Sequence, residues 1–426
     1  MPLTFARSAP TSGPPPSVYP IPGTIDGTGA TDTTFAIQQW INSVPDGTPG
    51  HPNVLQFGAG ATYGYAQGSW GYGLNYVDGS PPGTANGSYG AYLLVRRNHL
   101  VLDFNGCTFL AITAGTEHRF TWFITGGTDV TLKNGTIDGN VPVVGFPVGN
   151  GEFQAPISLE ATDSTLITNM TIKHCTGYFV WFDVENIGLA TPPYGVGKAT
   201  PCTNVSATHL TCDTNYNGQG MAIDGVSGCL IDTCTITNPA QNGIDIEPNF
   251  TSFAADHITI NNCTITGVGG GGYAGIVSVA SGVDGTNAHD WTFTNNTITW
   301  STTTQPARGI WLGNAPNTTP INNVTIKGNT LTGTYSQLNL NRMTNLDIED
   351  NIVNRGWDIV AGGPCAGTGS VMFASWCSGK MLNNTWNGGF VGGLYGVYDY
   401  FNCAGGPTGG TNNISPYSGN TNWPSP

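Results

Sequence analysis

Cys229-Leu-Ile-Asp-Thr-Cys-Thr-Ile-Thr-Asn-Pro-Ala-Gln-Asn-Gly-Ile-Asp-Ile-Glu-Pro-Asn249 holds two patterns. The first half contains Ile231-Asp-Thr-Cys-Thr-Ile236, a hexapeptide with an apolar residue at each end and four residues between, often Asn, Gly or Thr. Phe104-Asn-Gly-Cys-Thr-Phe109, Leu132-Lys-Asn-Gly-Thr-Ile137 and Ile167-Thr-Asn-Met-Thr-Ile172 come before it, with Val205-Ser-Ala-Thr-His-Leu210 a weaker copy. Ile260-Asn-Asn-Cys-Thr-Ile265, Phe293-Thr-Asn-Asn-Thr-Ile298, Ile326-Lys-Gly-Asn-Thr-Leu331, Ile348-Glu-Asp-Asn-Ile-Val353 and Met381-Leu-Asn-Asn-Thr-Trp386 follow. Copies begin 22 to 38 residues apart, a period that means a solenoid. Each unit reads as short strand, Asn/Gly bend, short strand, with no helical pattern between. That is one coil of an all-β, right-handed parallel β-helix, with like residues stacked about 4.8 Å apart. Extra residues must leave as loops, as at 186–203 and 266–275. An antiparallel sandwich of Thr-rich strands has no reason to repeat one hexapeptide.

Outward from the repeat, residues 1–24 are rich in Pro, Ser and Thr and read as an extended arm. Residues 25–91 form a head. Asp32 is the expected N-cap of a helix with Ile37, Trp40, Ile41 and Val44 on one face. Pro45-Asp-Gly47 ends it, and Val54-Leu-Gln-Phe57 is a strand. Residues 64–90 read as loop. The coils occupy 92–390, and 391–426 form a Gly-rich, aromatic C-terminal cap and tail that could cover exposed strand edges or dock a partner subunit.

Composition narrows the function. Charged residues are only 9% of the chain and aromatics 10%, which is unlike disorder. A net charge of −14 excludes binding to nucleic acid through phosphates. No run of 18 apolar residues exists to span a membrane. The first ten residues lack the apolar stretch of a signal peptide, so either the sequence is trimmed or the chain leaves its cell by a route such as lysis. Cys107, Cys234 and Cys263 hold one place in the repeat and read as stacked, buried thiols. Cys365, Cys377 and Cys403 lie in an irregular region where a disulfide could form.

The opening Asp26-Gly-Thr-Gly-Ala-Thr-Asp32, with Ala36-Ile-Gln38, Val54-Leu-Gln-Phe57 and Thr62-Tyr63, resembles the head of the pectate-lyase-like β-helix superfamily. That family tends to show an Asp-rich turn, a capping helix, a strand and a Gly-x-Tyr turn. It includes bacteriophage tail spikes and minor tail proteins. The resemblance implies a protein of the virion tail, extracellular, that grips host cell-envelope polysaccharide. It also implies a homotrimer, joined to other tail proteins through the N-terminal arm. The polygalacturonase pattern of the superfamily needs a Gly-His-Gly, which is absent here.

The second half of the opening stretch belongs to a second ladder, whose segments usually begin with Gly. Gly177-Tyr-Phe-Val-Trp-Phe-Asp-Val-Glu185, Gly220-Met-Ala-Ile-Asp224, Gly243-Ile-Asp-Ile-Glu247, Gly275-Ile-Val-Ser-Val279 and Gly309-Ile-Trp-Leu-Gly313 are its members. Strand side chains alternate, so isoleucines facing inward put the acids outward. Aligned on the glycines, Asp183, Glu185, Asp224, Asp245 and Glu247 share an outer face, flanked by exposed Trp181 and Trp311. Trp181 then falls beside Asp224, and Asp224 beside Glu247. The chain has only 26 acidic residues, so five on one face is notable. Carboxyl pairs about 5 Å apart across strands, or roughly 6.5–7 Å along one, suit glycoside hydrolysis with retention or inversion.

Asp224, Asp245 and Glu247 are therefore candidate catalytic residues of a glycoside hydrolase acting as a depolymerase, with Trp181, Asp183, Glu185 and Trp311 as candidate sugar-binding residues. The same acids could simply keep the solenoid soluble. With asparagine oxygens they also suit Ca²⁺, the only cofactor the sequence suggests. A β-elimination lyase wants a basic residue near the acids, and Arg119, Arg308 and Arg342 do not align with them. His174 and His209 stand alone near bends and read as structural. The competing reading is a receptor-binding or structural tail subunit that does not cut glycan.

Overall fold

A computed structural model describes residues 16–66, 90–114, 119–146, 155–183, 200–248, 254–267, 274–278, 287–300, 308–313, 319–333, 338–354, 370–375, 377–387, 395–398, 413–418 and 420. The chain divides into two compact units, Met1–Leu230 and Ile231–Pro426, each a right-handed stack of parallel coils.

In the second unit the hexapeptide is the ladder. Ile260 stacks on Phe293, Ile326, Ile348 and Met381 in register, and Ile265 on Ile298, Leu331, Val353 and Trp386. From Ile260 to Met381 and from Ile265 to Val353 these side chains point inward and are essentially fully buried. The bend between them needs one residue with φ near +55°: Asn262, Asn295, Gly328, Asp350 and Asn383 fill it. Asn and Asp tolerate this left-handed conformation because their short polar side chains bond locally, and Gly has no Cβ to clash. The repeat was therefore legible because each coil makes the same demand at the same place.

The following position is a small buried residue: Cys263, then Asn296, Asn329, Asn351 and Asn384. Those asparagines form a hydrogen-bonded ladder, each amide reaching the next coil's side chain and a backbone carbonyl. Cys107, Cys234 and Cys263 are all buried as expected; Cys234 and Cys263 hold the place in adjacent coils of the second unit, and asparagine takes it over from Asn296 onward. Burial pushes the Cys107 and Cys229 thiols up, and that of Cys202 up to about 12. Among these groups, Cys202 also feels Asp183 and Glu160, and none is a thiolate nucleophile.

In the first unit Leu132, Ile167 and Ala207 stack, as do Phe109, Ile137, Ile172 and Cys212. The true repeat in that coil is thus Ala207-Thr-His-Leu-Thr-Cys212, two residues beyond the copy expected at Val205–Leu210. His209 occupies its left-handed bend (φ 54°), which accounts for a histidine where the sequence showed no chemistry. Coils also start and end outside the expected bounds. Val18–Pro20, in the expected arm, pairs in parallel with Asn53–Gln56. Tyr395–Tyr398 and Asn413–Ser418, in the expected tail, pair with Ser370–Ser375 and Ser378–Leu382. Thr62–Ala66, Cys202–Thr208, Thr264–Gly267 and Ala274–Ser278 are strands within the edges of expected loops. Cys365 and Cys403 fall outside the described residues, and Cys377 is buried.

The head has its helix at Thr34–Ser43, with Ile37, Trp40 and Ile41 buried. Thr33, not Asp32, is the N-cap; Asp32 Oδ1 instead accepts from the Thr34 N–H at 3.0 Å and hydroxyl at 2.6 Å. Gln38 uses both ends of its amide on Leu94, accepting from its N–H at 2.7 Å and donating to its carbonyl at 2.9 Å. That satisfies the Leu94 backbone groups on the outer edge of the strand Gly90–Val95, the kind of edge a solenoid must cover.

The Asp26 carboxylate accepts from the Thr28 and Thr31 hydroxyls at 2.6 and 2.7 Å and from both backbone amides. The Thr28 hydroxyl first, then Thr31, hold its pKa at about 2 against an ordinary 3.8. A depressed carboxyl contributes stability above its free value and loses it as pH falls through the folded value. The turn should thus persist below pH 3.8 and open near pH 2. Thr28 and Thr31 amide shifts would report this, and a midpoint at the ordinary value would contradict it.

Glycine opens the second-ladder strands for a packing reason. A Cβ on Gly243 would lie 2.4 Å from the Gly275 carbonyl oxygen and 2.4 Å from Ile265 Cγ2. The backbone oxygen belongs to a ladder and cannot move away. Gly243→Ala is expected to destabilise the second unit by roughly 2–4 kcal/mol. Thermal melting beside a Gly23→Ala control, where no atom lies within 4 Å and the backbone is not left-handed, tests this; equal melting would refute the packing argument.

Candidate functional site

In the first unit the second ladder runs through Ala155–Glu160, Val180–Asp183 and Met221–Ile223. Inward go Ile157, Leu159, Val180, Phe182, Met221 and Ile223, all fully buried. Alternation sends Ser158, Glu160, Trp181, Asp183 and Asp224 to the other face. Ser158 pairs with Trp181 and Glu160 with Asp183, while Trp181 pairs with Ala222. The Asp224 N–H donates to the Phe182 carbonyl at 2.8 Å, which continues that register and sets Asp183 beside Asp224.

Glu160, Asp183 and Asp224 therefore stack on successive coils, with strands about 4.8 Å apart. Asp224 is beside Asp183 rather than beside Trp181, a two-residue shift from the glycine alignment. The cause is visible: Phe179, not Gly177, bonds to Gly220, so this strand enters the sheet without its glycine. Glu160 went unlisted for the same reason, since its strand has no opening glycine. Only the alternation Ile157-Ser-Leu-Glu160 marks it.

The expected exposure is corrected. Glu160, Asp183 and Asp224 are only 5–7% exposed. Trp181 is 2% exposed, so it is no open platform for a sugar. Its indole N–H donates to Asp224 Oδ2 at 2.6 Å, and its ring meets Tyr178 edge-on at 5.4 Å. A buried carboxylate needs such donors, and a charge-assisted bond this short both positions and stabilises it. Ser158 Oγ, on the same face, is buried with no hydrogen-bond partner among the described residues. Glu185 lies outside the described residues.

In the second unit the ladder follows the glycine alignment. Asp245 pairs with Val277 and Val277 with Trp311. Asp245 is buried and accepts from Asn242 Nδ2 at 3.2 Å; Asn242 Oδ1 in turn accepts from the Ala274 N–H at 2.9 Å. Glu247 is half-buried, two residues along the strand direction, so its Cα lies roughly 6.5–7 Å from that of Asp245. Trp311 is half-buried too, and the Arg308 guanidinium sits 3.9 Å from its ring centroid. That cation covers one ring face, which corrects the expectation of a bare stacking surface. Asp224 and Glu247, expected to pair, belong to different units.

A parallel β-helix carrying acids on the outward positions of one ladder is the class that the fold and these residues define. No family model matches the sequence, and no curated protein sequence matches it. Among solved structures, the chain is similar to the tailspike protein of E. coli bacteriophage HK620. A double mutant in complex with pentasaccharide aligns with TM-score 0.58 at 10% identity, over 93% of this chain and 64% of that one. A further mutant, in complex with hexasaccharide, gives TM-score 0.58 at 10% identity over 92% and 62%. The chain thus spans less than two thirds of the tailspike chains' length. At this identity the likeness establishes the fold. Among the described residues, no helix is long and apolar enough to cross a membrane.

Proposed function

We propose that this chain is a phage tail protein of tailspike type that binds host cell-envelope polysaccharide and hydrolyses it at a carboxylate pair on the second ladder. The observation that carries the reading is the stack of Glu160, Asp183 and Asp224, buried together with Trp181 bonded to Asp224. Gathering carboxylates under cover, one per coil, costs stability, and such clusters concentrate at functional sites. Neighbouring tailspikes solved with bound oligosaccharides support glycan as the ligand class. The virion tail as location, the homotrimer, and attachment to other tail proteins through residues 1–24 belong to the same proposal.

Each unit offers its own pair. Asp183 and Asp224, one coil apart, fit the roughly 5 Å separation of retaining enzymes. Asp245 and Glu247, along one strand, fit the roughly 6.5–9.5 Å of inverting ones. Trp181 and Glu185 would then serve the first pair, and Trp311 the second.

The test is a cleavage assay on candidate host-envelope polysaccharides, with and without a chelator, following reducing ends, ultraviolet absorbance and product anomer by NMR. Reducing ends without absorbance support a hydrolase; a retained anomer assigns Asp183 and Asp224, an inverted one Asp245 and Glu247. Absorbance would mean a lyase and a different site. Binding without cleavage would make the protein an adhesin. Loss of activity with chelator would assign the acids to Ca²⁺.

A further inference from the structure

We infer that His257, His289 and Asp290 form a binding site for a divalent first-row transition ion of the zinc type, at a corner of the coils in the second unit. Their ligand atoms all lie within 4.8 Å of one another. Asp290 Oδ2 stands between the two imidazoles, 2.8 Å from His289 Nδ1 and 3.5 Å from His257 Nε2. Two ligands of a tetrahedral ion at about 2.0–2.1 Å are about 3.3 Å apart, so the two carboxylate–imidazole separations lie within about half an ångström of that spacing, and the two imidazole nitrogens close in from within 4.8 Å.

The fold creates this geometry. His257, Asp290 and Asn323 occupy the same left-handed corner in successive coils, with φ of 52°, 58° and 59°. The register sets Asp256 beside His289 and His289 beside Asn322, so the corner residues stack. One ladder thus alternates imidazole, carboxylate and amide, and the position before it supplies the second imidazole. Corners are where the sequence tolerates Asn, Asp and His, so a metal-ligating pair there costs the coil nothing.

The surrounding groups direct one atom of each residue to a common centre, where His289 Nδ1 and Asp290 Oδ2 hydrogen-bond at 2.8 Å and an ion would take the place of the shared proton. His257 Nδ1 donates to Asp256 Oδ1 at 3.0 Å, which turns Nε2 toward Asp290. Asn323 Nδ2 donates to Asp290 Oδ1 at 2.7 Å, which leaves Oδ2 facing the imidazoles. The rings of His257 and His289 meet edge to face at 5.6 Å. A carboxylate behind a ligating imidazole and an amide behind a ligating carboxylate are the outer contacts that fix metal ligands. Two imidazoles and one carboxylate suit zinc, nickel or copper rather than calcium. His257 is exposed, so the fourth position opens to water. Bound there, the ion would clamp two successive coils.

The probe is Zn²⁺ alone, titrated calorimetrically into the chelator-treated full chain, with Co²⁺ absorption reporting coordination. His257→Asn keeps a residue suited to the corner, His289→Gln removes the second imidazole, and Asn323→Gly removes the supporting amide. Melting in chelator checks that each variant folds as the parent does. We expect a parent site of micromolar affinity or tighter, weakened about 100-fold in either histidine variant and about 10-fold in Asn323→Gly. Zn²⁺ should raise the melting temperature of the parent and not of the histidine variants. No Zn²⁺ binding by the parent, or unchanged affinity in both histidine variants, would overturn the assignment.

Discussion

Asn329→Asp is expected to unfold the second unit's coils well below the melting temperature of the parent. Asn329 is fully buried and uses its whole side chain. Its amide donates to the Phe293 carbonyl at 2.8 Å and to Asn351 Oδ1 at 2.9 Å. Its oxygen accepts from the Asn296 N–H at 2.9 Å and Nδ2 at 3.0 Å. Aspartate has the same shape but no donor. It would set a carboxylate oxygen against two acceptors in a dry interior, a loss of about 3–5 kcal/mol. Asn329→Ala removes the same four hydrogen bonds without adding a charge, and Asn296 Nδ2 and Asn351 Oδ1 each keep another partner, so it should cost less, roughly 2–3 kcal/mol. Asn329→Cys should be mildest, because Cys263 fills the equivalent place in its own coil. Calorimetry on the three variants gives the order; a tolerated aspartate would mean that water reaches the ladder. Protonated aspartate can donate once, so its deficit should shrink as pH falls, opposite to the behaviour of the Asp26 turn.

That ladder shows what a sequence reveals and what it hides. The apolar ends of the hexapeptide were legible because every coil must bury them at the same two places. Asparagine in the bend was legible as a bend residue. In Thr294-Asn-Asn-Thr297, however, Asn295 takes the left-handed corner while Asn296 is fully enclosed. Identical residues one position apart have opposite surroundings, and composition cannot separate them. Register behaved similarly. In the second unit the glycines mark it because a Cβ there would strike the next coil. In the first unit Phe179 takes the glycine's place, and the alignment slips by two residues.

The candidate site was legible to the same depth. Alternation correctly sent Asp183, Asp224 and Asp245 away from the aliphatic core. It could not show that they are buried, since burial of an outward face depends on contacts far apart in sequence. The histidine corner was hidden for a related reason: His257 and His289 are 32 residues apart and meet only through the coil register.

Asp224→Asn and Asp183→Asn should each lower the rate of glycan cleavage by about 10³-fold while leaving binding within a few-fold. General acid–base or nucleophilic help from one positioned group contributes about 10²–10⁴-fold. The amide keeps the shape and still accepts from the Trp181 indole. The double variant should be hardly slower than either single one, because a pair acting as a unit fails when either member is lost. Glu160→Gln, one coil further from Asp224, should cost less than either aspartate variant. Trp181→Phe removes the 2.6 Å bond to Asp224 and should lower turnover about 10-fold with little change in KM, since the indole is buried and positions the carboxylate. Oligosaccharide release and binding by the parent, these five variants and Asp245→Asn decide the matter. If the aspartate variants cut as fast as the parent while Asp245→Asn does not, chemistry belongs to the second unit and the inverting spacing. If none of these substitutions changes cleavage, the stacked acids serve the coil rather than the reaction.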